Sequence, residues 1–345
     1  PLRPVNSTLF SGPMLGRRTF FKAASAGVSG FFLSPLLQAT AKAQTAPQLK
    51  SAAKYCIFIL MAGAPSHTDM FDLKVGAWTP TDFNPTTYNG TLFPQGLMPT
   101  IADHLNKLAI IRSVRANALV HSLQQTWVQI ARSPSSALGK IAPNIGSVVA
   151  LEFEPKRQAG QKLPVFVSLN TGQNVVGSGY FSGLYAPFDI QPAATGITSL
   201  ANADGQARFE QRYSVLQSID SRLRTNSPLG DDAMTMGGFY DRGKAMMYDA
   251  TVDSVFKFTT DEQTRYGNSD FGNSCIVARN LVAANQGTRY IQINFGSWDH
   301  HQDIYAKAAT PNQTVPGIYQ MTQELDNGLA PLLADLAAKP GVNGG

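Results

Sequence analysis

From Tyr55 to Met61 the chain reads Tyr-Cys-Ile-Phe-Ile-Leu-Met, a nearly continuous apolar run. Such a run is the pattern of a strand covered on both faces, as in parallel sheets. It stops at Gly63, and Ala64-Pro65-Ser66-His67-Thr68-Asp69-Met70-Phe71-Asp72 follows as a polar loop. Further along, the pattern predicts a strand over 108–114, a helix over 123–131, a second helix over 145–153 and a strand over 163–169. Residues 177–187, rich in Gly, Tyr and Phe without a period, read as a long surface loop. A helix over 206–223 precedes a Gly/Met/Asp-rich stretch that reaches about residue 240.

The late part of the chain has the clearest periodicity. Val277, Leu281 and Ala284 share one helical face, and Ile291, Ile293 and Phe295 then alternate with Gln292 and Asn294 as on a strand. Directly after that strand comes Gly296-Ser297-Trp298-Asp299-His300-His301-Gln302-Asp303. Ile318, Met321, Leu325, Leu329, Leu332 and Leu336 predict a long amphipathic helix with a kink at Pro331. Strands and helices alternate, so the expected class is an α/β sandwich. In open α/β sheets ligands bind outside the carboxyl ends of strands, which is where both polar loops lie.

Charge changes the picture less than its total implies. The 345 residues carry 28 Lys and Arg against 23 Asp and Glu. Residues 1–43 hold Arg3, Arg17, Arg18, Lys22 and Lys42 and no acid, which leaves 23 bases to face 23 acids in the rest. A neutral body lacks the footprint of a nucleic-acid or polyanion binder. The basic segment is itself a motif. Arg17-Arg18-Thr19-Phe20-Phe21-Lys22 precedes an apolar, small-residue stretch to Leu37, and Ala41-Lys42-Ala43 is an Ala-x-Ala cleavage site. These features read as a twin-arginine export signal over 1–43, with the export machinery as partner and the periplasm or exterior as destination. Its apolar run is too short and polar to span a bilayer, so no membrane association is expected after cleavage. Residues 44–53 read as a linker and 54–345 as one domain. Cys56 and Cys275, far apart in apolar surroundings, read as buried free thiols.

Four of the five histidines fall in polar loops or at element ends: His67, His121, His300 and His301. His104 reads as structural. Asp69 and Asp72 accompany His67, and Asp299 and Asp303 accompany His300 and His301. Carboxylate and imidazole together at strand ends are ligands for Zn²⁺, Mn²⁺ or a similar divalent ion. The same residues also have plainer readings, as a solvated loop and as helix caps. Ser122, beside His121 at a helix start, reads either as a nucleophile near backbone amides or as an N-cap serine. Ser66 and His67 make a poor dyad because they are adjacent, and no Gly-x-Ser-x-Gly elbow occurs.

Taken in order, these segments resemble family 1501 of the domains of unknown function, exported bacterial proteins of the alkaline phosphatase and sulfatase-like superfamily. The family's Gly-Gly-Pro-Ser-His-x-Asp-x-Phe-Asp is met by Gly63-Ala64-Pro65-Ser66-His67-Thr68-Asp69-Met70-Phe71-Asp72. Its His, helix and Pro-x-Ile-Gly-Ser-x-Val are met at His121 and at Pro143-Asn144-Ile145-Gly146-Ser147-Val148-Val149. Tyr266-Gly267, Phe271-Gly272-Asn273-Ser274-Cys275 and Ala278-Arg279-Asn280-Leu281-Val282 match a later run, and Gly-Gly-Trp-Asp-Thr-His becomes Gly296-Ser297-Trp298-Asp299-His300-His301.

The resemblance implies a three-layer α/β/α sandwich with a mostly parallel central sheet and a divalent-metal site (Zn, Mn, Mg or Ca) at the strand ends. Asp299 and His301 resemble the superfamily's metal ligands, with Asp69 as the first-loop carboxylate, His67 as a further ligand and His121 or Ser122 near the attacking group. His300 replaces a Thr. The implied activity is hydrolysis of small anionic phosphate or sulfate esters. The alternative is a non-catalytic exported binding or cell-envelope protein that keeps the fold. Family members continue with a strand and with Gly-Glu-Phe-Gly-Arg-Thr and Gly-Arg-Asp-His-Trp segments, so the expectation is a domain missing its C-terminal part.

Overall fold

The computed structural model describes residues 53–338 except 116–117, 173–174 and 225–226. The leader and nearly all of the linker therefore lie outside the described residues. Six strands form among those described: β1 (Cys56–Leu60), β2 (Pro85–Tyr88), β3 (Thr91–Pro94), β4 (Phe166–Leu169), β5 (Phe188–Ile190) and β6 (Tyr290–Asn294). β1, β6, β4 and β5 lie side by side in that order, every pair parallel, while β2 and β3 make a separate antiparallel hairpin. The helices are α1 (Pro99–Ala102), α2 (His121–Ile130), α3 (Ile145–Phe153), α4 (Gln206–Arg224), α5 (Asp231–Met246), α6 (Ala250–Phe256), α7 (Thr260–Arg265), α8 (Asp270–Ala284) and α9 (Ile318–Ala338). The class is α/β with a parallel main sheet, as the alternation of patterns predicts.

The register explains why the sheet is buried twice over. Ile57 and Val167 both face Ile291, and Ile59 and Leu169 both face Ile293, so one sheet face is a continuous aliphatic band. α8 and α9 pack their apolar stripes on this face, joined by Phe295 stacked on Phe271 at a ring separation of 4.2 Å. Burying each such side chain stabilises the fold by about 1.5–3 kcal/mol. The opposite face carries Phe58, Phe166 and Tyr290 against α3, with Phe166 edge-on to Tyr290 at 5.3 Å. Gln292 also points to this second face and is fully buried. Its amide is satisfied by Asn144 (3.0 Å) and Gln129 (2.9 Å).

Two expectations are corrected. Residues 108–114 form no strand. No ladder partner lies beside them among the described residues, and Ile111 and Val114 remain 73% and 76% exposed. Ile110, Ile111 and Val114 instead wall a cleft with Pro65, Met70 and Phe71, so their apolar character serves a groove rather than a sheet. Cys56 is exposed, because it opens an edge strand; Cys275 is buried, and burial pushes its thiol up. Both thiols are free, as expected. The Gly/Met/Asp-rich stretch contains a helix, α5, whose Gly238 lets Leu184 approach to where a Cβ would stand 2.7 Å away.

α9 is anchored by charge as well as by its apolar stripe. Asp326 accepts from the amides of Thr100 (3.1 Å) and Ile101 (2.6 Å), capping α1 from a distant helix. Asp335 accepts from Arg265 (2.5 and 2.9 Å), Arg279 (3.1 Å) and the Tyr266 hydroxyl (2.8 Å). Hydrogen bonding from Arg265, with help from Tyr266 and Arg279, holds the Asp335 carboxyl well below the usual carboxylate range. In the unfolded chain this group takes up its proton near an ordinary value of about 3.9, whereas in the folded chain it stays ionised to lower pH. Its stabilisation is therefore full above about pH 5 and drains away as pH falls through and below about 4. Asp335→Asn is expected to lower stability at neutral pH by about 2 kcal/mol and to flatten its acid dependence, as read by urea denaturation across pH.

Candidate functional site

The loops that leave β1 and β6 are built into one another at the carboxyl ends of the sheet. The amide of Phe295 donates to Leu60 O (2.8 Å), Ala62 N donates to Phe295 O (3.0 Å) and Trp298 N donates to Ala62 O (3.2 Å), which prolongs the pairing past the strands. Trp298 is fully buried, its ring edge-on to Phe295 at 5.2 Å. The indole is thus an anchor that delivers the next residue, Asp299, to the surface at a fixed place. Gly63 sits directly beneath. Its φ is +107°, and a Cβ there would stand 2.5 Å from Asp299 N and 2.8 Å from the Trp298 carbonyl carbon. Only glycine meets both demands.

His121 arrives from the other side of the chain, as the first residue of α2. The far end of that helix is fixed by Gln129, 1% exposed, which bonds to Gln292 on the central strand, to Asn144 at the cap of α3 (3.2 Å) and to Val176 N (3.0 Å). With α2 tied to the middle of β6, His121 reaches the end of the same strand. Its Nε2 lies 3.0 Å from Asp299 Oδ1, and His301 Nε2 lies 2.9 Å from the same oxygen. One nitrogen from each imidazole and one carboxylate oxygen all fall within 4.8 Å of one another. These side chains are 43–71% exposed, so the cluster opens to solvent.

The chemistry of this set fits a divalent cation. Two imidazoles and a carboxylate suit Zn²⁺ and related ions, and three protein ligands leave a position for water or substrate. At 2.9 and 3.0 Å the two N···O pairs stand at hydrogen-bonding distance, and donor atoms around a tetrahedral ion stand about 3.3 Å apart, so a cation needs them to part by only a few tenths of an ångström. Three buried polar atoms next to the cluster in sequence lack a protein partner: Asn294 Oδ1, Trp298 Nε1 and His300 Nδ1.

The other sequence candidates are placed differently. Asp69 is 3% exposed and accepts from Ser66 Oγ (2.5 Å) and the Tyr305 hydroxyl (3.0 Å). It stands outside the three-residue cluster and caps no helix. Burial and the bond to Asp69 push the Tyr305 phenol up to about 12, so it stays a donor at neutral pH. Asp69 therefore ties the first loop to the segment after His301. His67 is exposed and lines the cleft of about 480 Å³ with Asp72 and Arg112. His300 turns inward, its Nε2 2.9 Å from Pro316 O, and burial lowers its pKa. Ser122 is exposed at the second position of α2; Val120, not Ser122, occupies the N-cap. Asp303 binds Thr310 Oγ1 (2.6 Å) and closes its own loop. His104 contacts Lys107 at 3.1 Å.

The sequence reading missed Gln129, Asn144, Gln292 and Tyr305. Gln292 did carry a signal, since a polar residue inside a strand buried on both faces must find partners.

A model of the family described as "Protein of unknown function (DUF1501)" matches residues 53–341, a span that includes every residue of the cluster. No curated protein and no solved structure matches the chain. The interlocked loops make a direct prediction. Gly63→Ala is expected to cost about 2 kcal/mol or more in denaturant, through φ strain and the clash at Asp299 N, whereas Gly90→Ala, at a positive φ with open space around it, costs less.

Proposed function

The chain belongs to the DUF1501 family, and from the site in its own residues we propose that it is a metal-dependent hydrolase of small phosphate or sulfate esters on an alkaline-phosphatase-like three-layer fold. The observation that carries this reading is the convergence of His121, from the start of α2, with Asp299 and His301, from the loop after β6, onto one point at the strand ends. These three residues hold the cation, a role that the sequence spread over His67, Asp69, Asp299 and His301. A bound Zn²⁺ or Mn²⁺ supplies Lewis acidity toward the ester oxygen and lowers the pKa of coordinated water.

The chain's own groups divide the remaining tasks. His121 Nε2 and His301 Nε2 both face Asp299 Oδ1, and a cation held by these three atoms would take the place of the ring N–H protons. α2 presents its N-terminus at His121, where the helix dipole favours an anion. Ser122 is the exposed hydroxyl next to the cluster and is assigned the attacking position. Tyr305 and Asp69 brace the loops beneath. Because bases and acids balance outside residues 1–43, attraction for an anionic ester comes from the site rather than from net charge. The twin-arginine motif in 1–43 supports a mature protein in the periplasm or outside the cell, with the export machinery as its partner in transit.

Calorimetric titration of chelator-treated protein with Zn²⁺ and Mn²⁺ is expected to give one site, weakened about 100-fold or more by Asp299→Ala or His301→Ala. Turnover of p-nitrophenyl phosphate or sulfate is expected to fall with it. Protein that takes up neither ion and melts unchanged in chelator would sink the proposal. Metal uptake without turnover, Ser122→Ala behaving as the parent, would transfer support to a non-catalytic binding protein.

A further inference from the structure

At the other end of the sheet, where β4 and β6 begin, lies a small cleft of about 140 Å³ lined by Phe153, Lys156, Arg157, Gln161, Gly287 and Arg289. The length of β6 separates it from the His121–Asp299–His301 cluster, about 17 Å at 3.3 Å per residue. Three of its six lining residues are cationic and none is acidic. On a body whose charges otherwise balance, this is a local excess.

The cations are unevenly satisfied. Arg157 donates through Nη2 to Gln161 O (2.5 Å) and through Nη1 to Glu154 (3.2 Å), but its Nε is buried without a partner. That Nε is enclosed by the protein itself, so Arg157 brings its charge to the cleft rather than a free N–H. Arg289 donates to Asn285 Oδ1 (2.9 Å) and Thr288 O (3.2 Å) and lies over the Tyr55 ring, with no carboxylate partner among the described residues. Lys156 meets Glu152 only at 3.7 Å, with both side chains more than 60% exposed, a pair worth little. Residue 287, which passes close to Arg157, is glycine. Its φ is +112°, and a Cβ there would stand 3.1 Å from Nε and 2.8 Å from Leu163 O.

From this geometry we propose that the cleft is a binding site for a tetrahedral oxyanion, phosphate or sulfate, either free or as the terminal phosphoryl group of a lipid headgroup. The anion's oxygens accept from Arg289 and Lys156, charge-assisted donors suited to such groups, and the Arg157 guanidinium beside them adds its charge. A volume of about 140 Å³ holds one such ion. It falls well below the roughly 300 Å³ or more of pockets for larger ligands.

The test uses Asp299→Ala protein in chelator, which removes the metal cluster as a competing anion site and makes the result independent of the proposed hydrolase activity. Inorganic phosphate and sulfate are titrated by calorimetry and by thermal shift against chloride at equal ionic strength. Saturable one-site binding is expected, weakened at least about tenfold by Arg289→Gln and by Lys156→Gln, two substitutions at positions outside the core. A response to phosphate no larger than to chloride, or variants that bind as tightly as their parent, would overturn the proposal. Phosphatidylcholine vesicles with and without phosphatidic acid then name the source. Co-sedimentation that free phosphate competes away and both variants lose assigns a headgroup; protein left in the supernatant, with the phosphate response intact, assigns the free ion.

Discussion

The burial of β6 on both faces is the constraint from which the rest of the molecule follows. Every residue of Tyr290–Asn294 is buried, and every one is neighboured on both sides by a parallel strand or its continuation. A strand in that position has to spend its side chains on two different cores. On one side Ile291 and Ile293 need only volume, which α8 and α9 supply. On the other, Gln292 needs hydrogen bonds, and the partners it recruits are the two residues that fix α2 and α3, Gln129 and Asn144. A one-residue slip of β6 would drive the amide into the aliphatic band and leave Gln129 and Asn144 facing isoleucine, so the polar triad locks the register as well as the helices.

That lock also governs the chemistry. His121 belongs to a helix held at the middle of β6, and Asp299 and His301 belong to the loop at its end. His121 is distant in sequence from the other two, yet all three are placed by the same strand. Preorganisation of this kind, with the supporting bonds buried and the functional atoms open to solvent, is what a cation site requires. The cationic cleft at the opposite strand ends rests on the same element, since Gly287 and Arg289 immediately precede Tyr290.

Much of this was legible from residue patterns, for identifiable reasons. α3, α8, α9, β1 and β6 could be read because burial imposes a period or a continuous run, and helices on both faces of a parallel sheet produce the strongest runs. The apolar segment at 108–114 was misread because apolar character marks burial against something, and here that is a cleft rather than a ladder. α5 was missed because Gly237, Gly238 and its acidic start blur the helical pattern, its place being decided by close packing on Leu184. Among the site residues, the sequence marked His121, Asp299 and His301 by chemistry. It had no means of separating them from His67 and Asp69, because that separation is made by side-chain direction: one turns to a groove, the other to Ser66 and Tyr305.

The absence of a side chain at Gly63 has a consequence for how ligands come and go. With the backbone of the first loop pressed against Asp299 and its amides bonded into the second, neither loop can swing away without taking the other along. The floor beneath the cluster is therefore a single braced piece, and its open side is the flank formed by His121 and His301. Exchange on that flank needs only side-chain rotation, a nanosecond event, rather than the slower opening of a lid.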